Sequence, residues 1–406
     1  MNNNINLLEK EGVIPSEMTK KFSLRGQTSP RPVYRIPLDF VYYNNKNGRI
    51  ATLISKWESE NGYKISELDR DLYNKTIGKY IIDSNEVAFK KTLKNIEALQ
   101  QINPGVVLSN GCIIDGNRRY TCLRTLNEKD STGKFGYFEA VILDPDISAD
   151  EKEIKRLELE LQHGQDEKVS YNPVESLIDV YKTIEEEQLL TLKEYSDNCK
   201  KSESQVKKEL DQAKIIIDFL DYINAQGKYY IAVDLQVDAS IVEIYNIKQK
   251  LSEEQWEQAK IVLYDNMLVK TVGDIKQRMR DIKLILNSDY FEDYFQEHLD
   301  SSKKIHEKLK ETDDMDSDFI KDNIRANDEL KEDLNLVFEK YRSQAAIAAA
   351  KKIPVDQLED IYLLLTKVDI DSIEHLHGEE RKQFIENYKM IESLLNKIGS
   401  IIDGVK

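Results

Sequence analysis

The sequence predicts an α+β protein: a small mixed region of strands and helices, followed by a mostly α-helical one. Three observations carry this. Short apolar runs separated by Gly, Pro and Asn turns fill residues 33–143. Within them, residues 111–126 read as strand, tight turn and helix. Cys112-Ile113-Ile114 is a buried-strand run, Asp115-Gly116-Asn117 is turn chemistry, and Tyr120, Leu123 and Leu126 fall at helical spacing. From about residue 148 onward, apolar residues recur almost throughout with the period of amphipathic helices.

The chain has 406 residues, 40% of them hydrophobic and 33% charged, enough for two or three domains with real cores. There is no apolar run of about eighteen residues, so no membrane span is expected. Residues 1–6 lack a basic region leading into an apolar core, so no secretory signal is read there. Cys112, Cys122 and Cys199 are scattered and make neither a disulfide framework nor a metal spacing; no metal ligands are assigned. Cytoplasm is the expected compartment. The net charge of −16 argues against indiscriminate coating of nucleic acid; DNA contact requires a local basic patch and is salt-sensitive.

Residues 1–30 are expected to form a loose N-terminal arm ended by Pro30 and Pro32. Residues 33–38 predict a short strand, placed at an edge by Pro37. The polar loop through Asn44, Lys46 and Gly48 leads to Ile50, Leu53, Ile54 and Trp57 at helical spacing. Helices follow at 68–81 and through Phe89, Leu93 and Ile96. Val106-Val107-Leu108 and the Asn110-Gly111 turn predict a hairpin into the central stretch. Residues 134–143 give the last strand of a domain spanning 31–147.

A helical domain is expected over 148–235. Ile154, Leu157 and Leu161 line one helix; Asn172 caps the next and Pro173 opens it. Residues 191–198 are a short helix, and Cys199-Lys200-Lys201 turns the chain. Ser202-Glu203-Ser204-Gln205 has the form of a capping box before a longer helix. This pair reads as a helix-turn-helix or as an ordinary helical hairpin. Residues 229–233 read as extended. Residues 236–406 form a helical C-terminal region, with the acidic loop 312–318 as a boundary and the last helices as a bundle or dimerisation element.

Two adjacent arginines, Arg118 and Arg119, stand in the first turn of a helix that opens from a glycine turn. Helix N-termini normally take acids, so the arginines point to an anion, with backbone N–H groups and the helix dipole adding to the pull. The alternative is a strand–turn–helix carrying two solvated arginines. Arg49 stands at a second loop-to-helix junction.

Asn47-Gly48-Arg49, then Asp115-Gly116-Asn117-Arg118-Arg119, then Asn172-Pro173-Val174-Glu175 resemble, in order, three motifs of the ParB/sulfiredoxin superfamily. The candidate helix-turn-helix falls where ParB proteins keep theirs, and the resemblance covers about residues 33–215. It implies a ParB-like nucleotide-binding domain with a nucleoside triphosphate (CTP or ATP) and Mg²⁺. Arg49, Gly116, Asn117, Arg118 and Arg119 would hold its phosphates. ParB proteins carry Glu-Asn-x-x-Arg ahead of Asn-Pro-x-Glu; here the matching positions hold Gly164, Gln165 and Lys168, so Gln165 and Lys168 join the phosphate-binding set. The reactive cysteine of sulfiredoxin is replaced by Asn117, so sulfinic-acid repair is not implied. The central motif is also similar to the Asp-Gly-Gln-Gln-Arg motif of restriction and DNA-modification families.

Three functions follow as expectations. The first is a nucleotide-dependent DNA-binding protein, with Ser204, Gln205, Lys207 and Lys208 on DNA, in plasmid or phage maintenance or host defence. The second is an NTPase or nuclease, with Asp115 and Glu175 as catalytic candidates and Asp166 and Glu167 behind them. The third is a non-catalytic scaffold whose helical C-terminal half binds a protein partner. A homodimer with no membrane attachment is expected.

Overall fold

A computed structural model describes residues 6–163, 172–271 and 273–404, with the side chains of Arg49 and His163 outside the description. Five strands, β1 (Ile14–Leu24), β2 (Gln27–Pro37), β3 (Gly105–Val107), β4 (Ile113–Asp115) and β5 (Tyr137–Ile142), form one sheet in the order β1-β2-β5-β3-β4. β5 and β3 run parallel; the other neighbours are antiparallel.

The hairpin β1–β2 replaces the expected loose arm. Its turn, Arg25-Gly26, has φ of 51° and 74°, the paired positive values that match hairpin twist. Met18, Lys20, Phe22 and Leu24 alternate inward along β1. Pro30 and Pro32 do not stop β2, because they lie where it pairs with β1 alone; β5 joins at Tyr34–Pro37. Nor is Pro37 on an edge strand, since β2 has β1 on one side and β5 on the other.

Helices α1 (Ala51–Asn61), α2 (Arg70–Ser84), α3 (Glu86–Leu99) and α4 (Asn117–Asn127) supply the cover of one sheet face, with Ile36, Val107, Ile113 and Phe138 inward. Val33, Val106, Ile114 and Val141 face the other way. They meet Ile147 of the short α5 (Pro145–Ser148) and Leu157 and Leu161 of α6 (Glu151–His163). A strand buried on both faces reads as a continuous apolar run, which is why Cys112-Ile113-Ile114 was legible.

Helix α7 (Pro173–Tyr181) starts as expected, the Asn172 side chain accepting from the Val174 N–H, and ends in a π-helical turn, Lys182–Glu186. Then come α8 (Leu192–Cys199) and α9 (Glu203–Tyr222), sharing a small core with α6 and α7 through Leu159, Val180, Leu190, Tyr195 and Val206. The expected extended segment is instead α10 (Tyr229–Asp234): Tyr230, Ile231 and Ala232 are buried there, and tertiary burial overrides the strand preference of Tyr-Tyr-Ile. Helices α11 (Asp238–Lys248), α12 (Glu253–Val269), α13 (Ile275–Leu286), α14 (Phe291–Leu309) and the short α15 (Ser317–Phe319) follow. The acidic loop is no boundary. Asp314 pairs with Lys228, Asp316 caps α15, and the Ser317 hydroxyl donates to Asp234.

The chain divides into two compact units, 1–342 and 343–406. The divisions expected at 30, 147 and 235 all fall inside the first. The second holds the end of α16 (Asp328–Leu365), α17 (Ile370–Ile373) and α18 (Gly378–Gly404).

Candidate functional site

The glycine turn forms as read. Gly116 has φ of 108°, and a Cβ there would lie 2.8 Å from Phe138 Cζ, so only glycine lets β4 turn into α4. The arginines after it behave differently from expectation. Arg119 donates through Nη2 to Asp115 Oδ1 at 2.9 Å, and through Nη1 to the carbonyls of Asn103 at 2.5 Å and Pro104 at 3.1 Å. Lys20, from the far edge strand β1, reaches Asp115 Oδ2 at 2.6 Å and the Pro104 carbonyl at 2.7 Å. Burial alone would raise the Asp115 carboxyl. Two adjacent cations outweigh it and hold the group below its usual range. Lys20 is lowered by burial and by Arg119, against the pull of Asp115.

Asp115, read as a catalytic candidate, is therefore the anion of an internal cluster, and Arg119 is a clamp between β4, α4 and the start of β3. Arg118 is half-buried beside Cys122; burial pushes that thiol up to about 12 despite the guanidinium. Asn117 keeps a buried Oδ1 without a donor among the described residues. None of Gly116, Asn117, Arg118 and Arg119 lines the large cleft of the first unit.

That cleft, of about 1050 Å³, opens along the other end of β4. One wall is the polar loop Asn44, Asn45, Lys46 and Gly48, with Cys112 and Ile114; the other is α6 and the end of α7, with Lys155, Glu158, Asp179 and Lys182. The loop is held by buried hydrogen bonds. Tyr120 donates to the carbonyls of Leu38 at 3.0 Å and Val41 at 2.7 Å, and Tyr73 to that of Tyr43 at 2.9 Å. Gly48 lets the loop touch α7: a Cβ there would stand 2.7 Å from Asp179 Oδ1. Asp179 in turn accepts from Lys155 at 2.7 Å and from the Tyr195 hydroxyl at 3.1 Å, and Lys155 also faces Glu158 at 3.7 Å. Lys46 is exposed and pairs with Glu151 at 3.0 Å, a surface pair of little energetic weight. Cys112, read as the start of a buried strand, is half-buried on the cleft wall, and burial pushes its thiol up to about 12.

The first of the three motifs thus borders the cleft. The backbone of Arg49 lies in the 3₁₀ turn Gly48–Ile50 at its rim. Glu175 lies off the cleft wall and accepts from Thr52 Oγ1 at 2.8 Å. Gln165 and Lys168, with Asp166 and Glu167, lie outside the described residues. Lys46, Lys155 and Lys182 were not singled out from sequence. Asn44-Asn45-Lys46 carried a signal as a polar strand-to-helix loop; Lys155 of α6 and Lys182 of the turn after α7 carried none, because among neighbouring charges they look solvent-facing.

The helices α8 and α9 form at the positions read from sequence, joined by a short turn. Thr191 and Glu194 form a capping box, Lys200 takes the left-handed turn with φ of 54°, and the Ser202 hydroxyl accepts from the Gln205 N–H at 3.2 Å. The Ser202–Gln205 box is half-formed, for the Gln205 amide turns to Glu209 at 3.3 Å. Ser204, Gln205, Lys207 and Lys208 are all exposed on the first two turns of α9, while Val206 and Leu210 are buried.

Among the described residues no cluster of three or more His, Cys, Asp and Glu could hold a metal, and no helix is long and apolar enough to cross a membrane. Comparisons with protein-family models, with curated proteins and with solved structures found no match.

Proposed function

We propose that this is a DNA-binding protein of helix-turn-helix type whose affinity is set by a nucleoside triphosphate, CTP or ATP with its Mg²⁺, in the cleft. One observation carries the reading. The cleft takes one wall from the sheet region and the other from α6, the end of α7 and its π-helical turn, and α7 packs directly against α9. A ligand filling the cleft therefore presses on the helix that supports the DNA-facing one. Lys46 and Lys182 supply phosphate charge, and Asn44, Asn45 and Asn110 supply donors and acceptors for a base edge. The metal ion would arrive with the nucleotide and neutralise its phosphates, with Glu186 and Glu187 on the cleft wall beside it.

The reading is tested by fluorescence anisotropy on labelled duplex DNA, with and without each nucleotide and Mg²⁺. Lys207→Ala/Lys208→Ala is expected to weaken binding across sequences and to flatten the slope of log K against log salt by about 2, one unit per phosphate contact. Lys46→Ala/Lys182→Ala is expected to leave DNA binding by the unliganded protein intact and to abolish the nucleotide-induced change. Binding that ignores every nucleotide, or that survives loss of both α9 lysines unchanged, defeats the proposal.

A further inference from the structure

The second unit has no interior of its own. From residue 346 to residue 404 no described residue is buried, although the segment is rich in Ile, Leu, Val and Tyr. Twenty large apolar side chains there are between 39% and 76% exposed. Soluble chains rarely leave so much contiguous apolar surface in water. The exposed positions are also patterned. In α18, the half-buried Phe384 and the exposed Tyr388, Ile391, Leu395, Ile398 and Ile402 alternate spacings of four and three, an unbroken heptad seam. Ile385, Leu394 and Ile401 flank it and widen the stripe beyond what a single partner helix covers. In α16 the run Ile361-Tyr362-Leu363-Leu364-Leu365 is apolar on every side and at least 41% exposed throughout. A helix apolar all round belongs inside a bundle.

We infer that this unit is a self-association element, in which the α16–α18 segments of two copies of the chain assemble into one helical bundle. Three features select a second copy. At a residual ~50 Å² each, the twenty side chains expose on the order of 1,000 Å² per copy, above the roughly 800 Å² per partner of a standard interface. Residues 343–406 carry eight Lys and Arg against eleven Asp and Glu, so this unit holds only −3 of the −16 and opposes its own pairing little. Two long stripes per copy make four in a pair, the number that closes a bundle with no stripe left in water. A lipid surface fits worse, because membrane-lying helices carry a cationic polar face and this unit is acidic.

The inference is independent of the DNA-binding reading, and its test reads mass and helix content, with no DNA or nucleotide present. Light scattering on the full chain at micromolar concentration is expected to give twice the 47.2 kDa of one copy. Leu395→Glu/Ile398→Glu is expected to weaken association at least tenfold and return a monomer with undiminished helical circular dichroism. Leu395→Ile, which keeps the seam apolar, is expected to remain a dimer. A wild-type chain that is monomeric, whether alone, bound to another protein or bound to vesicles, overturns the inference. So does a dimer indifferent to the two glutamates.

Discussion

Replacing Asp115 with alanine is expected to destabilise the first unit by about 3–5 kcal/mol, the range for removing one partner of a buried ion pair. The carboxylate is 17% exposed, and its two cations, Lys20 and Arg119, are 14% and 16% exposed. Without it both cations stay near the Pro104 carbonyl, facing each other instead of an anion. The cluster also ties β1 to β4, the two edges of the sheet, so its loss frees those edges from each other. Denaturant unfolding checks the size. The pH dependence checks the cause. The folded carboxyl lies below its unfolded value of about 3.9, so its contribution is complete above that pH and is lost as pH falls through the folded value. The stability gap between wild type and Asp115→Asn is therefore expected to close as pH falls through the folded value of the carboxyl. A gap under about 1 kcal/mol at neutral pH would place the cluster among weak surface pairs.

This cluster also shows where sequence reading stops. The strand, the glycine turn and the helix of residues 111–126 were legible because each is a local preference. The partner that determines what Arg119 does, Lys20, is 95 residues away from Asp115 and sits in a stretch that reads as a polar arm. The period-two burial of β1 was hidden because Lys20 occupies an inward position, where a charge breaks the apolar alternation. The same limit applies at the cleft. Asn44-Asn45-Lys46 reads as a loop, but Lys155 and Glu158 look like solvent-facing charges on α6 until α7 brings Asp179 against them. The helices α7 and α9 were legible through their caps, Asn172 and Ser202, which are again local. Residues 229–233 misled because Tyr, Ile and Val favour strands only when no better burial is offered by neighbouring helices.

Gly111→Ala is expected to be as damaging as loss of Asp115, and for a steric reason. Gly111 has φ of 92°, and a Cβ there would lie 2.2 Å from the Phe40 carbonyl oxygen, a backbone atom that cannot swing aside. The turn cannot tilt away either. The Tyr42 N–H donates to the Gly111 carbonyl at 3.0 Å, and the Ile113 N–H to that of Tyr42 at 2.9 Å. Positive φ costs an alanine about 1–2 kcal/mol, and overpacking adds roughly 1–3 kcal/mol. Relief of the clash would push Phe40–Tyr42 off β4 and, with it, the loop that forms one wall of the cleft. Gly133→Ala separates the two terms: Gly133 has φ of 75° but nothing within 4 Å of its Cβ position, so it carries the dihedral cost alone. Urea midpoints for both variants should differ by the overpacking term, with ligand response lost only in Gly111→Ala. Equal losses would mean that the Phe40 backbone yields freely, and the cleft wall is then not held by β4.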